Sequence, residues 1–203
     1  MMRELVLIGG GGHCRACIDV IEQENRFAIA GIVDVRENLH NTVLGYDVFA
    51  CDDDLPDLCA DYDLFFITLG QISTPARRQQ LFSVLDRLNA RLPTIISPLS
   101  YVSAHAVIGR GSIVMHHAVV NAGASVGENC IINTKATLEH DVRVGHSCHI
   151  STSAVINGGV HIDEGVFVGS NAVCRESIRI GRNAVLGCGC IAKKDIDPDT
   201  VWH

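Results

Sequence analysis

Glu139-His140-Asp141 is the stretch of this chain best suited to acid–base work. An imidazole titrates near neutral pH, and a neighbouring carboxylate orients the ring and stabilises its protonated form, as a general base requires. A second candidate is Gly9-Gly10-Gly11-Gly12, followed by His13. Glycines between a strand and a helix let backbone N–H groups approach a phosphate at the helix's positive end. Asp34 closes the next apolar stretch and is placed to hydrogen-bond a ribose or a base. Arg77 or Arg78, beyond Gly70, could add charge near a diphosphate. The strict dinucleotide fingerprint fails, because Arg15 stands where its last glycine belongs. A phosphate or nucleotide site is therefore expected, and full NAD binding is not. Cys14-Arg15-Ala16-Cys17 has the spacing of a redox pair but enters a helix without a thioredoxin-like continuation. His105, His116, His117 and His161 read as surface residues. His140, His146 and His149 do not match ordinary ligand spacings, so no metal is expected.

These residues need elements to position them. From Val102 to Ala192 an aliphatic residue returns every six positions, with only Cys174 and Ala192 departing from Val, Ile or Leu. Two places earlier the residue is usually small, as at Ala118, Ala136, Cys148 and Ala154. This period fits neither a helix nor an alternating strand. It predicts a coil with three flat sides, one turn taking about eighteen residues. Ala122 then lies below His140 and Gly158 above it, leaving room for a ligand. The Gly158 amide can approach a reacting carbonyl and steady developing negative charge. Asn121, Glu139 and Asn157 form the adjacent polar column. Glycine or asparagine directly after the aliphatic position reads as the left-handed residue of each corner.

Ahead of the coil, strand–helix alternation predicts a small Rossmann-like α/β domain over residues 1–97 with a parallel sheet. Its strands are Leu5 to Ile8, Ile29 to Val33, Asp63 to Gly70 and Thr94 to Ile96. Its helices are Cys14 to Gln23 and Pro75 to Asn89. The β-helix domain takes residues 98–203, its repeat running from about 101 to 193.

At 203 residues and 47% hydrophobic, the chain has ample core for two such domains. The net charge of −7 argues against a nucleic-acid surface. No run is long and apolar enough to span a membrane, and the start lacks a signal-peptide pattern. Four of the nine cysteines sit in the repeat's inward positions as reduced, small hydrophobes, and the expected compartment is the cytoplasm.

The whole chain, about residues 3 to 201, resembles the left-handed parallel β-helix sugar acyltransferases. These include sialic acid O-acetyltransferases and N-acetyltransferases of nucleotide-linked 4-amino-4,6-dideoxy sugars. The resemblance rests on Gly9 to His13, Asp34, Phe66-Ile67-Thr68-Leu69-Gly70 with Arg77, and Asn133-Thr134 through Glu139-His140-Asp141 to His149. It implies left-handed coiling and a homotrimer with active sites between subunits. It implies acetyl-CoA as co-substrate, near His149, Gly158, Ser170, Gly187, Cys188 and Gly189. It sets a nucleotide-sugar substrate at Gly10, Gly11, Gly12 and His13 with Asp34, Gly70 and Arg77. His140 would accept a proton from the attacking amine or hydroxyl, with Asp141 tuning it and the Gly158 amide holding the oxyanion. Attack would be direct, since Cys148 occupies an inward position unsuited to a nucleophile. Family members usually continue past the equivalent of Trp202-His203 into a Gly-x-Pro-Ala segment that helps cover the coenzyme.

The leading expectation is an acetyl-CoA-dependent N-acetyltransferase of a nucleotide-linked dideoxy amino sugar, serving a bacterial surface glycan. One alternative is O-acetylation of a sialic or related nonulosonic acid. Another is a non-catalytic, nucleotide-binding trimeric scaffold.

Overall fold

The computed structural model describes residues 2–203. The chain divides into two units, residues up to Gly70 with Arg78–Pro93, and Gln71–Arg77 with Thr94–His203.

In the first unit, β1 (Arg3–Ile8) leads through the glycine turn into α1 (Gly12–Glu24) and β2 (Phe27–Asp34). Then come β3 (Thr42–Val43), β4 (Tyr46–Cys51), α2 (Leu55–Asp61), β5 (Leu64–Ile67) and α3 (Ala76–Arg87). The sheet order is β3-β4-β2-β1-β5, parallel except where β3 runs antiparallel to β4. Val6 and Ile8 of β1, Val33 of β2 and Phe65 and Ile67 of β5 are buried against Leu81 and Leu85 of α3. Apolar side chains spaced along one helix stripe meet alternate strand residues, as two-layer packing requires. The sequence reading contained the parallel core but not the β3–β4 hairpin or α2.

In the second unit the strands are two residues long and stack into three flat faces of a left-handed parallel β-helix. The first face has seven strands, from Ile95–Ile96 to Val201–Trp202. The second has six, from Tyr101–Val102 to Ile191–Ala192. The third has five, from Val107–Ile108 to Arg179–Ile180. Register advances by eighteen residues per coil, as in Val119↔Thr137 and Thr137↔Val155. The inward column is the six-residue series: Val120, Leu138, Ile156 and their equivalents from Val114 to Ala192 are buried and Val102 and Ile108 partly so, with Ala118, Ala136 and Cys148 filling the narrow corners.

Two expectations change here. Ile95–Ile96 pairs with Ile113–Val114 and so is the coil's first rung, not the last strand of the α/β sheet. The boundary drawn at 97/98 accordingly moves to Pro93/Thr94. The left-handed corner residue is also not the one directly after the aliphatic position. It comes two places later, at Asn129, Asp141, Ser147, Gly159, Asn183 and their equivalents. Glycine after the aliphatic position answers to crowding: a Cβ on Gly127 would lie 2.8 Å from the Gly145 carbonyl carbon and oxygen one coil on.

Candidate active site

His140 and Asp141 occupy the corner between the second and third faces. They are exposed outward, with side-chain accessibilities of 66% and 73%. His140 Nδ1 lies 2.9 Å from Asp141 Oδ2. With Nδ1–H donating to that carboxylate, the lone pair sits on Nε2, which has no partner among the described residues. Asp141 is the corner's left-handed residue, φ 60°, and this backbone turn swings its carboxylate back onto the ring before it. Glu139 does not contact the ring. It accepts from Asn121 Nδ2 at 3.0 Å, one coil below.

Two glycines make space for this pair. A Cβ on Gly158 would stand 2.6 Å from His140 Cε1 and Nε2, so the ring lies directly against that residue. A Cβ on Gly123, one coil below Asp141, would stand 2.5 Å from its Oδ1. Space for a reacting group is therefore beside the ring and Gly158, not between them. Gly123 was missed in the sequence, where only Ala122 was counted below the histidine.

The Gly158 N–H is free for a specific reason. At equivalent corners Asn121 and Asn133 turn Oδ1 onto the next N–H, that of Ala122 and Thr134, each at 2.8 Å. Asn157 instead donates Nδ2 to the Cys174 carbonyl at 2.8 Å. The Gly158 amide is left without an acceptor among the described residues.

The other coil residues lie elsewhere. Ser170, Gly187, Cys188 and Gly189 line the corner between the first and second faces. Ser170 Oγ is 3.0 Å from Ser151 Oγ, and Cys188 is exposed. His149 is buried on the first face. Its Nδ1 meets the Gln71 carbonyl at 2.6 Å, its Nε2 meets Asn133 Nδ2 at 3.0 Å, and its ring packs edge-on against Phe167. One chain thus does not bring these residues to His140. Cys148 is buried, its thiol donating to the Asp163 carbonyl at 3.0 Å, and burial pushes its pKa well up, away from the thiolate. Among the described residues no group of three His, Cys, Asp or Glu could hold a metal ion.

In the first unit the glycine turn opens beside a cleft of about 420 Å³. Gly9, φ 104°, bonds its N–H to the Val33 carbonyl at 2.8 Å. A Cβ on Gly10 would lie 2.8 Å from Asp34 Oδ2, whereas Gly11 and Gly12 face open space. Gly11 is the N-cap of α1 and brings no capping side chain, so the helix's first amides stay available. Asp34 differs from expectation. Its Oδ2 accepts from the Gly10 N–H and Asn38 Nδ2, both at 3.0 Å, and its Oδ1 from the Val35 N–H at 2.8 Å. The carboxylate is used chiefly to hold the turn. His13 sits on the first turn of α1, where a Cβ on Gly70 would meet its Cβ at 3.6 Å. Arg77 is exposed on α3. Arg78 is buried and donates Nη1 to the Leu69 carbonyl at 2.5 Å, closing the end of β5 rather than facing a ligand. Arg15, Asn38, Asn41 and Thr42 also line the cleft. Sequence reasoning passed over the last three because no periodic pattern marks the β2–β3 loop or the two-residue β3.

A family model described as the PglD N-terminal domain matches residues 4–85. The acetyltransferase domain of PglB from Neisseria gonorrhoeae is 30% identical, with a TM-score of 0.88 over 97% of this chain and 94% of that one. PerB from Caulobacter crescentus, solved with CoA and GDP-perosamine, is 30% identical, with a TM-score of 0.90 over 98% and 93%. WeeI from Acinetobacter baumannii, 18% identical with a TM-score of 0.59 over 100% and 97%, shares the fold. No curated protein matches the chain. A β-helix behind this N-terminal unit, and near-complete overlap with two acetyltransferase structures at 30% identity, carry one conclusion: the chain belongs to the hexapeptide-repeat sugar acetyltransferases.

Proposed function

We propose that this enzyme transfers the acetyl group of acetyl-CoA to the 4-amino group of a nucleotide-linked dideoxy amino sugar, in the cytoplasm, for a bacterial surface glycan. The observation that carries the reading is the exposed His140–Asp141 pair lying against Gly158, whose N–H has no acceptor among the described residues. The amine attacks the thioester carbonyl while His140 Nε2 takes its proton. The C–N bond forms and the C–S bond breaks. The departing thiolate recovers a proton from the imidazolium, and Asp141 stabilises that cation in between. The Gly158 amide donates to the carbonyl oxygen as charge collects there. An amine acceptor suits an exposed general base, since a neutral amine is already nucleophilic. The support from relatives is that PerB was solved with GDP-perosamine and CoA, and the Neisseria domain with acetyl coenzyme A.

The reading needs a homotrimer. Outward positions on the second face are apolar except for Thr137, with Val119, Val155 and Val173 half-buried and Tyr101 and Ile191 exposed at 59% and 55%. On the third face four of the five equivalent positions, Ser125, Arg143, His161 and Arg179, are polar, and only Val107 is apolar. Packing three second faces about a three-fold axis brings the His140 corner of one chain against the Ser170–Gly189 corner of its neighbour. That supports acetyl-CoA lying between subunits.

The test is His140→Ala, which should lower kcat by about 10² to 10⁴ while leaving the oligomer folded. Near wild-type turnover would sink the mechanism. Assays against nucleotide amino sugars and against free or CMP-linked sialic acids decide between amine and hydroxyl acceptors.

A further inference from the structure

We propose that the cleft beside the glycine turn takes a uridine rather than a guanosine nucleotide, with Asn41 reading the base; this rests on the nucleotide-sugar reading above. The cleft has the size and the mixed lining of a small-molecule site. Val43 and Val48 give it a buried apolar floor on which a flat base can lie. Arg15, on the first turns of α1, is exposed beside Gly10 and offers a cation to the diphosphate.

Two groups decide the base. Guanine presents adjacent donors, N1–H and the exocyclic amine, and their natural partner is a carboxylate with both oxygens open. The one carboxylate lining this cleft is Asp34, and three N–H donors already occupy it, from Gly10, Val35 and Asn38. The paired acceptor that guanine needs is missing. Uracil presents a single donor, N3–H, flanked by carbonyl oxygens. One carboxamide satisfies that edge, its oxygen accepting and its amine donating.

Asn41 supplies it. Its side chain lines the cleft and has no partner among the described residues. Its backbone is fixed, with the His40 N–H on the Val48 carbonyl at 2.9 Å and the Val48 N–H on the Asn41 carbonyl at 2.8 Å. Because this backbone is already held, a ligand need order only the rotamers of the carboxamide itself.

Calorimetry on the full chain with UDP and GDP tests this. UDP should bind at least about tenfold more tightly than GDP. Asn41→Ala should weaken UDP about five- to tenfold, the loss of one hydrogen-bonded contact, and leave GDP unchanged. Asn41→Asp, which loses the donor and adds a second acceptor, should narrow or reverse the preference. Thermal melts check that both variants fold, as expected for an exposed residue. If GDP binds as tightly as UDP, or Asn41→Ala weakens both equally, the base assignment falls while the acetyltransferase reading stands. If neither nucleotide binds, both fall.

Discussion

His140 holds its pose because its neighbours lack side chains, and this makes Gly158 a sensitive position. A methyl group there would sit 2.6 Å from the ring's Cε1 and Nε2. The ring is exposed and free to swing aside, so Gly158→Ala should cost little stability, about 1 kcal/mol or less. The displaced base should lower kcat/KM by about 10². Steady-state kinetics beside a thermal melt separate the two effects, and unchanged kcat/KM would remove Gly158 from the chemistry. That His140 and Asp141 lie beside Gly158 was legible in the sequence because counting by eighteen sets coil neighbours. The free Gly158 amide was not, since it depends on the rotamer of Asn157, which turns toward the Cys174 carbonyl where Asn121 and Asn133 turn back on themselves. Asp34 shows the same limit: its type suggested a ligand contact, and nothing in the sequence showed that its oxygens also brace the turn.

Among the elements, the corners show two uses of glycine that look alike in a sequence. At Gly127 a Cβ would meet the Gly145 carbonyl and the His146 nitrogen, each at 2.8 Å, and backbone cannot swing away. Gly127→Ala should therefore cost about 1–3 kcal/mol by overpacking, read as a drop of several degrees in Tm. Gly12→Ala, at the first position of α1 and facing open space, should leave Tm unchanged or slightly raised. Equal Tm values for the two variants would refute the crowding argument. The six-residue period made the coil legible, and strand–helix alternation did the same for β1, α1, β2 and β5. The β3–β4 hairpin escaped because its turn is Leu44-Gly45, with φ of 50° and 88°, and leucine is not a residue that announces a left-handed turn. Ile95–Ile96 escaped because two apolar residues fit either neighbouring sheet, and only the pairing with Ile113–Val114 decides.

For the molecule as a whole, the second face carries the prediction. Val173 points outward there, half-buried and clear of the core column. Val173→Asp should leave each coil intact and yield 21.9 kDa monomers in sedimentation. Specific activity should fall at least about tenfold, because no chain alone unites the His140 and Ser170 corners. A variant with the same sedimentation mass as the wild type, or a monomer that keeps full turnover, would overturn the shared-site arrangement we propose. The unbroken eighteen-residue register has a further consequence, for how such a chain can change length. The prism behaves as a single-start screw with three flats to each thread. Inserting one complete thread after Gly159 would lengthen it and leave the phase of every side chain intact, so the reaction corner would survive. Inserting a third of a thread there would advance everything downstream by one face and carry Ser170 and Gly187 to Gly189 to the wrong corner, although each strand still matched its pattern.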